Sequence, residues 1–147
     1  MKLPLEHHLN ETLRYIQNQR PNFKPQVGLI LGSGLGQLAE EINEKTVISY
    51  KDIPHFPKST VAGHKGQLVL GKLGGLDVAC LQGRVHPYEG MAPSGCLNLI
   101  RSLKLLGCES LFITNAAGSL RPEVSAGNLM LINDHINFQQ INPLIGH

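Results

Sequence analysis

Val27-Gly28-Leu29-Ile30-Leu31 is a continuous apolar run that passes directly into Gly32-Ser33-Gly34-Leu35-Gly36. A strand with apolar residues at successive positions has both faces buried, which requires layers packed on either side of a sheet. The glycines that follow permit a tight turn, and Leu38 to Ile42 beyond them reads as helical. Strand, turn and helix in this succession restrict the chain to folds in which helices cover a buried sheet.

The other periodicities agree. Leu5, Leu9, Leu13 and Ile16 recur at helical spacing and predict an amphipathic helix ended near Pro21. Val47 to Tyr50 predicts a short strand. A Pro- and His-rich connection then runs from Asp52 to His64, long for a structureless loop and therefore a candidate functional one. Leu68 to Leu70 and Val78 to Leu81 flank Gly74-Gly75, a pair suited to the positive φ angles of a hairpin turn. Cys96, Leu99, Ile100, Leu103 and Leu106 mark one face of a helix over Pro93 to Leu106, with Gly107 at its stop. Leu111 to Thr114 and Leu129 to Ile132 predict two further buried strands. The fold class is α/β, and 147 residues suffice for one domain with its own core.

Composition removes several functions. Hydrophobic residues make up 41% and charged residues 16%, ordinary values for a soluble globular chain. A net charge of +2, with no Lys or Arg run and no tryptophan, argues against nucleic acid as a partner. No apolar stretch approaches the roughly 20 residues that span a bilayer, so no membrane partner is expected. Glu6, His7, His8 and Asn10 near the N-terminus are unlike a secretion signal, which gives a cytoplasmic expectation and makes the Asn10-Glu11-Thr12 sequon incidental. Cys80, Cys96 and Cys108 have neither disulfide nor metal spacing and read as core residues; no metal site is predicted.

The densest chemistry lies in Gln82-Gly83-Arg84-Val85-His86-Pro87-Tyr88-Glu89-Gly90. Arginine offers a fork of donors to an oxyanion, histidine a switchable proton, tyrosine a flat ring with a hydroxyl, and glutamate an acceptor. His64 sits between Gly63 and Gly66, just before a predicted strand. The Arg84 segment follows the other strand of the same hairpin, so the two could meet at one end of a sheet. Thr114-Asn115-Ala116-Ala117-Gly118-Ser119 starts at the end of a buried strand, where open α/β sheets bind ligands. Backbone N–H groups and Ser33 in the glycine loop can face an anion. Together these point to an anion-using active site, with phosphate as the anion. A plain strand-to-helix turn would use the same glycines, and a dinucleotide-binding fold is a competitor. Its third glycine is replaced by Gln37, while Asp52 stands at a suitable distance for a ribose contact.

The motifs Gly32-Ser33-Gly34-Leu35-Gly36, Gly63-His64, Gln82-Gly83-Arg84-x-His86-x-Tyr88-Glu89-Gly90, Thr114-Asn115-Ala116-Ala117-Gly118 and Leu131-Ile132-x-Asp134-His135-Ile136-Asn137 occur in this order. The ordered set resembles the N-terminal part of the trimeric purine nucleoside phosphorylases, the inosine- and guanosine-preferring type, from about Val27 to Leu144. The resemblance implies a mixed central β-sheet flanked by helices, of phosphorylase/hydrolase type. It implies reversible phosphorolysis of a purine nucleoside to free base and ribose 1-phosphate, with phosphate as co-substrate and no cofactor. By motif, Ser33, His64, Arg84, His86 and the Ala116 amide would hold phosphate, and Tyr88 would contact the ribose. Glu89 would orient the phosphate nucleophile, making His86 and Glu89 the catalytic pair. Asn115, with Ala116, would shape the floor between phosphate and base. A homotrimer is implied as well.

Members of that family are considerably longer, and their later half supplies the residues that read the purine and complete the sheet. Residues 1–147 therefore read as the N-terminal part of a single phosphorylase domain, with the C-terminal part of the fold missing. Weak or absent activity, and exposed strand edges and apolar faces, are expected of such a unit. Two other readings stay open: a catalytically dead phosphate-binding or interaction module, and a dinucleotide-binding oxidoreductase domain. A nucleoside hydrolase would differ from the leading reading by using water in place of phosphate.

Overall fold

The computed structural model of the chain describes residues 4–57, 65–83, 95–138 and 142. The amphipathic N-terminal segment forms helix α1 (Pro4–Gln19), which buries Leu9, Thr12 and Ile16. The apolar run forms strand β1 (Val27–Leu31), and a short 3-10 helix (Gly36–Glu41) follows the glycine loop. Strands β2 (Asn43–Ser49), β3 (Gln67–Leu73) and β4 (Leu76–Gln82) come next, then helix α2 (Gly95–Leu106) and strand β5 (Ser110–Ile113).

One mixed sheet results, in the order β2-β3-β4-β1-β5. β1 lies parallel to β4 and β5, and β3 lies antiparallel to β2 and β4. Gly74 and Gly75 turn the β3–β4 hairpin with φ angles of 58° and 84°, the positive values that other residues rarely adopt. Leu31 and Gln67 both pair with Gln82, and Ile30 pairs with Ile113. This register brings the carboxyl ends of β1, β4 and β5 and the start of β3 to one end of the sheet.

Side chains alternate across the strands and divide the core in two. On one face Ile30, Leu68, Leu70, Ala79 and Leu81 pack with Ile16 of α1 and with Leu99, Leu103 and Leu106 of α2. On the other, Leu29, Leu31, Val69, Val78 and Cys80 meet Ala39 and Ile42, from the 3-10 helix and its exit. Burial pushes the Cys80 thiol up to about 12 and the Cys108 thiol up to about 11, as expected of core thiols. Three side-chain hydrogen bonds tie α1 and the residue after it to the rest of the fold. The Arg20 guanidinium donates to the carbonyls of Leu70 and Glu44 at 2.8 and 2.7 Å, and the Thr12 hydroxyl donates to the Pro54 carbonyl at 2.6 Å.

Leu38 to Ile42 is helical as expected, in the tighter i-to-i+3 form over Gly36–Glu41, before Ile42 becomes extended. Two expectations are corrected. β5 forms where predicted but is not buried: Leu111, Phe112 and Ile113 are 40%, 61% and 60% exposed, since β5 is the edge strand. Leu129 to Ile132 forms no strand, with Leu129 and Leu131 96% and 92% exposed. Strand geometry needs a neighbouring ladder, and among the described residues none pairs beyond β5. No described helix is long and apolar enough to cross a membrane.

β1 and β5 stay in close contact just past their paired residues. A Cβ built on Gly32 would overlap the Thr114 carbonyl oxygen and stand 2.9 Å from the Asn115 Cα, both of them backbone. Gly36 has no such neighbour, only the tip of Gln82 at 3.8 Å. Gly32→Ala is predicted to destabilise the fold by about 1–3 kcal/mol through overpacking. Gly36→Ala is predicted to stabilise it by about 0.4–1 kcal/mol through the unfolded chain. Urea unfolding of the two variants checks the opposite signs.

Candidate active site

Four backbone segments meet at the carboxyl end of β1, where ligands of open α/β sheets bind. Gly32-Ser33-Gly34 leaves β1, Thr114-Asn115-Ala116 leaves β5, Gly83 leaves β4, and Lys65-Gly66 enters β3. Thr114 joins the first two. Its hydroxyl accepts from the Gly32 N–H at 3.0 Å and lies 3.2 Å from the Ile30 carbonyl, and its own N–H donates to that carbonyl at 3.0 Å. The loop after β1 turns through Leu35 N–H to Gly32 carbonyl, with Gly34 at a φ of 81° that favours glycine.

A cavity of about 700 Å³ opens here, bordered by Gly32, Ser33, Gln37, Glu40, Lys65 and Gly83. Its frame is fixed by buried polar groups. Gln82, 4% exposed, donates to the Gly36 carbonyl and accepts from the Gln67 amide, each at 2.6 Å. One side chain thereby joins the hairpin to the 3-10 helix. Tyr50 is buried beneath the same end, its hydroxyl donating to the Gly83 carbonyl at 2.9 Å. Burial, reinforced by Cys80, pushes its phenol far above the ordinary range, so the hydroxyl remains a donor.

The rim carries charge. Lys65 reaches one Glu40 carboxylate oxygen at 2.5 Å and Lys45 the other at 3.2 Å. Glu40 thus ties the 3-10 helix to the residue next to His64. The hydrogen bond from Lys65, then that from Lys45, pulls the Glu40 carboxyl down to about 2. Among the described residues bordering the cavity, Glu40 and Lys65 are the charged ones, and they pair with each other.

Of the residues expected to act, Ser33 is exposed on the cavity wall. Asn115 and Ala116 are exposed beside Gly32, with the Asn115 amide 3.4 Å from the Ala116 carbonyl. His64, Arg84, His86, Tyr88 and Glu89 lie outside the described residues. Gly66 and Gly83, from which those segments continue, stand at the cavity end of the sheet. The dinucleotide alternative loses its footing. After the glycine loop comes a six-residue 3-10 helix, and the chain then enters β2 at the far, antiparallel edge. A dinucleotide fold requires a long helix there and a crossover to an adjacent parallel strand. The described residues hold no group of three His, Cys, Asp or Glu side chains arranged to hold a metal.

Tyr50, Gln82, Glu40 and Lys65 had no role assigned from sequence. Tyr50 and Gln82 each bond to a backbone carbonyl more than thirty residues away, which periodicity does not register. A polar atom inside an otherwise apolar strand, as at Gln82, was the available signal, because a buried amide must find partners.

Glu40 sets a pH dependence. Its folded pKa lies below the ordinary 4.5, so its contribution is complete above pH 4.5 and disappears as pH falls toward about 2. Glu40→Gln is predicted to be less stable than the parent at neutral pH, with the difference closing across that window. Parallel urea-unfolding curves for both proteins from pH 5 to 2 would remove Glu40 from the account.

Comparison with known proteins agrees with this geometry. Residues 26–147 match the phosphorylase superfamily. The chain is 53% identical over 132 residues to purine nucleoside phosphorylase 1 of Bacillus subtilis, covering 90% of this chain and 48% of that protein. It is 47% identical over 131 residues to purine nucleoside phosphorylase of Mus musculus, covering 87% and 45%. A crystal structure of isoform 2 of purine nucleoside phosphorylase from Schistosoma mansoni, in complex with cytosine and ribose-1-phosphate, superposes with a TM-score of 0.86 at 45% identity. That superposition covers 96% of this chain and 50% of the other. The chain spans about half the length of the curated relatives it matches. With its five-stranded mixed sheet and the glycine loop at the sheet's carboxyl end, the chain belongs to the phosphorylase superfamily and is similar, along most of its length, to purine nucleoside phosphorylases.

Proposed function

We propose that the chain carries the phosphate-holding part of a purine nucleoside phosphorylase of the inosine- and guanosine-preferring type. One observation carries this reading: Ser33, Ala116 and the glycines leading to His64 and Arg84 converge at one end of the sheet. Far apart in sequence, these segments have in common the small residues and donors that an anion needs. Ser33, His64, Arg84, His86 and the Ala116 amide hold phosphate. Glu89 accepts a hydrogen bond from the phosphate and orients it, Tyr88 contacts the ribose, and Asn115 shapes the floor beneath the base.

The reaction is reversible phosphorolysis. A phosphate oxygen bonds to the anomeric carbon as the glycosidic bond breaks, and the bonding pair leaves with the purine, which takes up a proton. Positive charge develops on the sugar, and a phosphate dianion held beneath it stabilises that charge. Arg84 and backbone amides keep both reactants in place, removing most of the entropic cost of their encounter. Phosphate is a co-substrate, and no cofactor takes part. The proposal extends to a purine-salvage role in the cytoplasm and to a homotrimeric enzyme.

Residues 1–147 constitute the N-terminal part of a single phosphorylase domain, and the relatives' further length is where purine-reading residues belong. The exposed apolar side chains of β5 and of Leu129, Leu131, Ile136 and Phe138 fit a surface that further polypeptide covers. The 147 residues alone are therefore predicted to release little or no hypoxanthine from inosine, with or without phosphate. Phosphate-dependent release at the rate of a complete phosphorylase would contradict the missing-half argument. Phosphate-independent release would replace phosphorolysis by hydrolysis. Phosphate binding without any cleavage, even after addition of the later half of a relative, would favour an inactive binding module.

A further inference from the structure

Tyr50 touches both points from which the predicted phosphate-binding segments depart. Its hydroxyl donates to the Gly83 carbonyl, and its backbone N–H donates to the Gly66 carbonyl, each at 2.9 Å. Gly83 is adjacent to Arg84, and Gly66 is two residues beyond His64. The side chain is 1% exposed, with its ring edge against Phe56 at 5.4 Å between centroids. The hydroxyl is thus delivered to Gly83 by a ring with no room to move. Gly83 itself is buried, with a φ of 100°. Its carbonyl accepts from Tyr50 at the cavity end of β4.

We infer that Tyr50 is a positioning residue for phosphate, setting the spacing between Gly66 and Gly83, the described residues that flank the His64 and Arg84 segments in the chain. The inference rests on the phosphate reading above and adds to it a residue that would touch neither phosphate nor nucleoside. An acceptor that loses a donor in a buried place moves or is left less well paired, and either outcome is costly. That cost falls on Gly83, the residue that precedes Arg84 in the chain, and a forked donor set tolerates little displacement from an oxyanion.

The test compares Tyr50→Phe with Ile16→Val, both in the intact chain. Ile16 is fully buried in the same core cluster, between α1 and the sheet, and does not border the cavity. Inorganic phosphate is titrated into each protein by calorimetry, with urea unfolding as the measure of stability. Tyr50→Phe is expected to weaken phosphate binding about tenfold, and Ile16→Val to leave it unchanged while lowering stability. Equal phosphate affinity in Tyr50→Phe and the parent, or equal losses in both variants, overturns the inference. No phosphate binding by the parent overturns the phosphate reading and this inference with it. If Tyr50→Phe does not fold, hydrogen exchange of the parent decides. Phosphate is expected to slow exchange in peptides covering Gly66 and Gly83 but not in α1, and uniform or absent slowing overturns the inference.

Discussion

Contact between the loops after β1 and β5 is the constraint on which the candidate site depends. Gly32 has room for no side chain because the Thr114 carbonyl occupies that space, and Thr114 accepts from the Gly32 N–H. Two loops separated by more than eighty residues are thereby held side by side. β1 can serve both neighbours because it is the inner parallel strand, with β4 on one side and β5 on the other. Register does the rest, since Gln82 is paired with Leu31 on one side and Gln67 on the other.

Around that contact the polar groups have divided duties. Gln82 and Tyr50 are buried and act on backbone, one holding the 3-10 helix and the other holding Gly83. Glu40, Lys45 and Lys65 are exposed and act on charge at the cavity mouth. Buried hydrogen bonds lose much when a partner is removed, whereas exposed ion pairs are screened by water and salt. Positional precision therefore rests on Tyr50 and Gln82, while the lysines hold the 3-10 helix through Glu40.

Much of this was legible in the chain itself. Helix α1, β1 and the hairpin followed from leucine spacing, a continuous apolar run and a glycine pair, all of them local signals. The glycine loop and the Asn115-Ala116 turn were readable because small residues after a buried strand have few uses. Leu38 to Ile42 was legible as helical but not as a 3-10 turn, since its apolar spacing suits both forms. β5 and Leu129 to Ile132 misled for a shared reason. Apolar composition reports what a segment would bury, while exposure depends on which neighbours are there. Tyr50 looked like the end of a strand, and its partner at Gly83 is set by tertiary packing alone.

The central claim is that the carboxyl end of the sheet is a phosphate site assembled from four backbone segments. Titration of the isotopically labelled chain with inorganic phosphate, followed by backbone amide chemical shifts, tests it most directly. The account predicts saturable shifts concentrated at Gly32, Ser33, Gly34, Gly66, Gly83 and Ala116, with α1 unaffected. Shifts scattered over surface lysines, or none at all at millimolar phosphate, would contradict it.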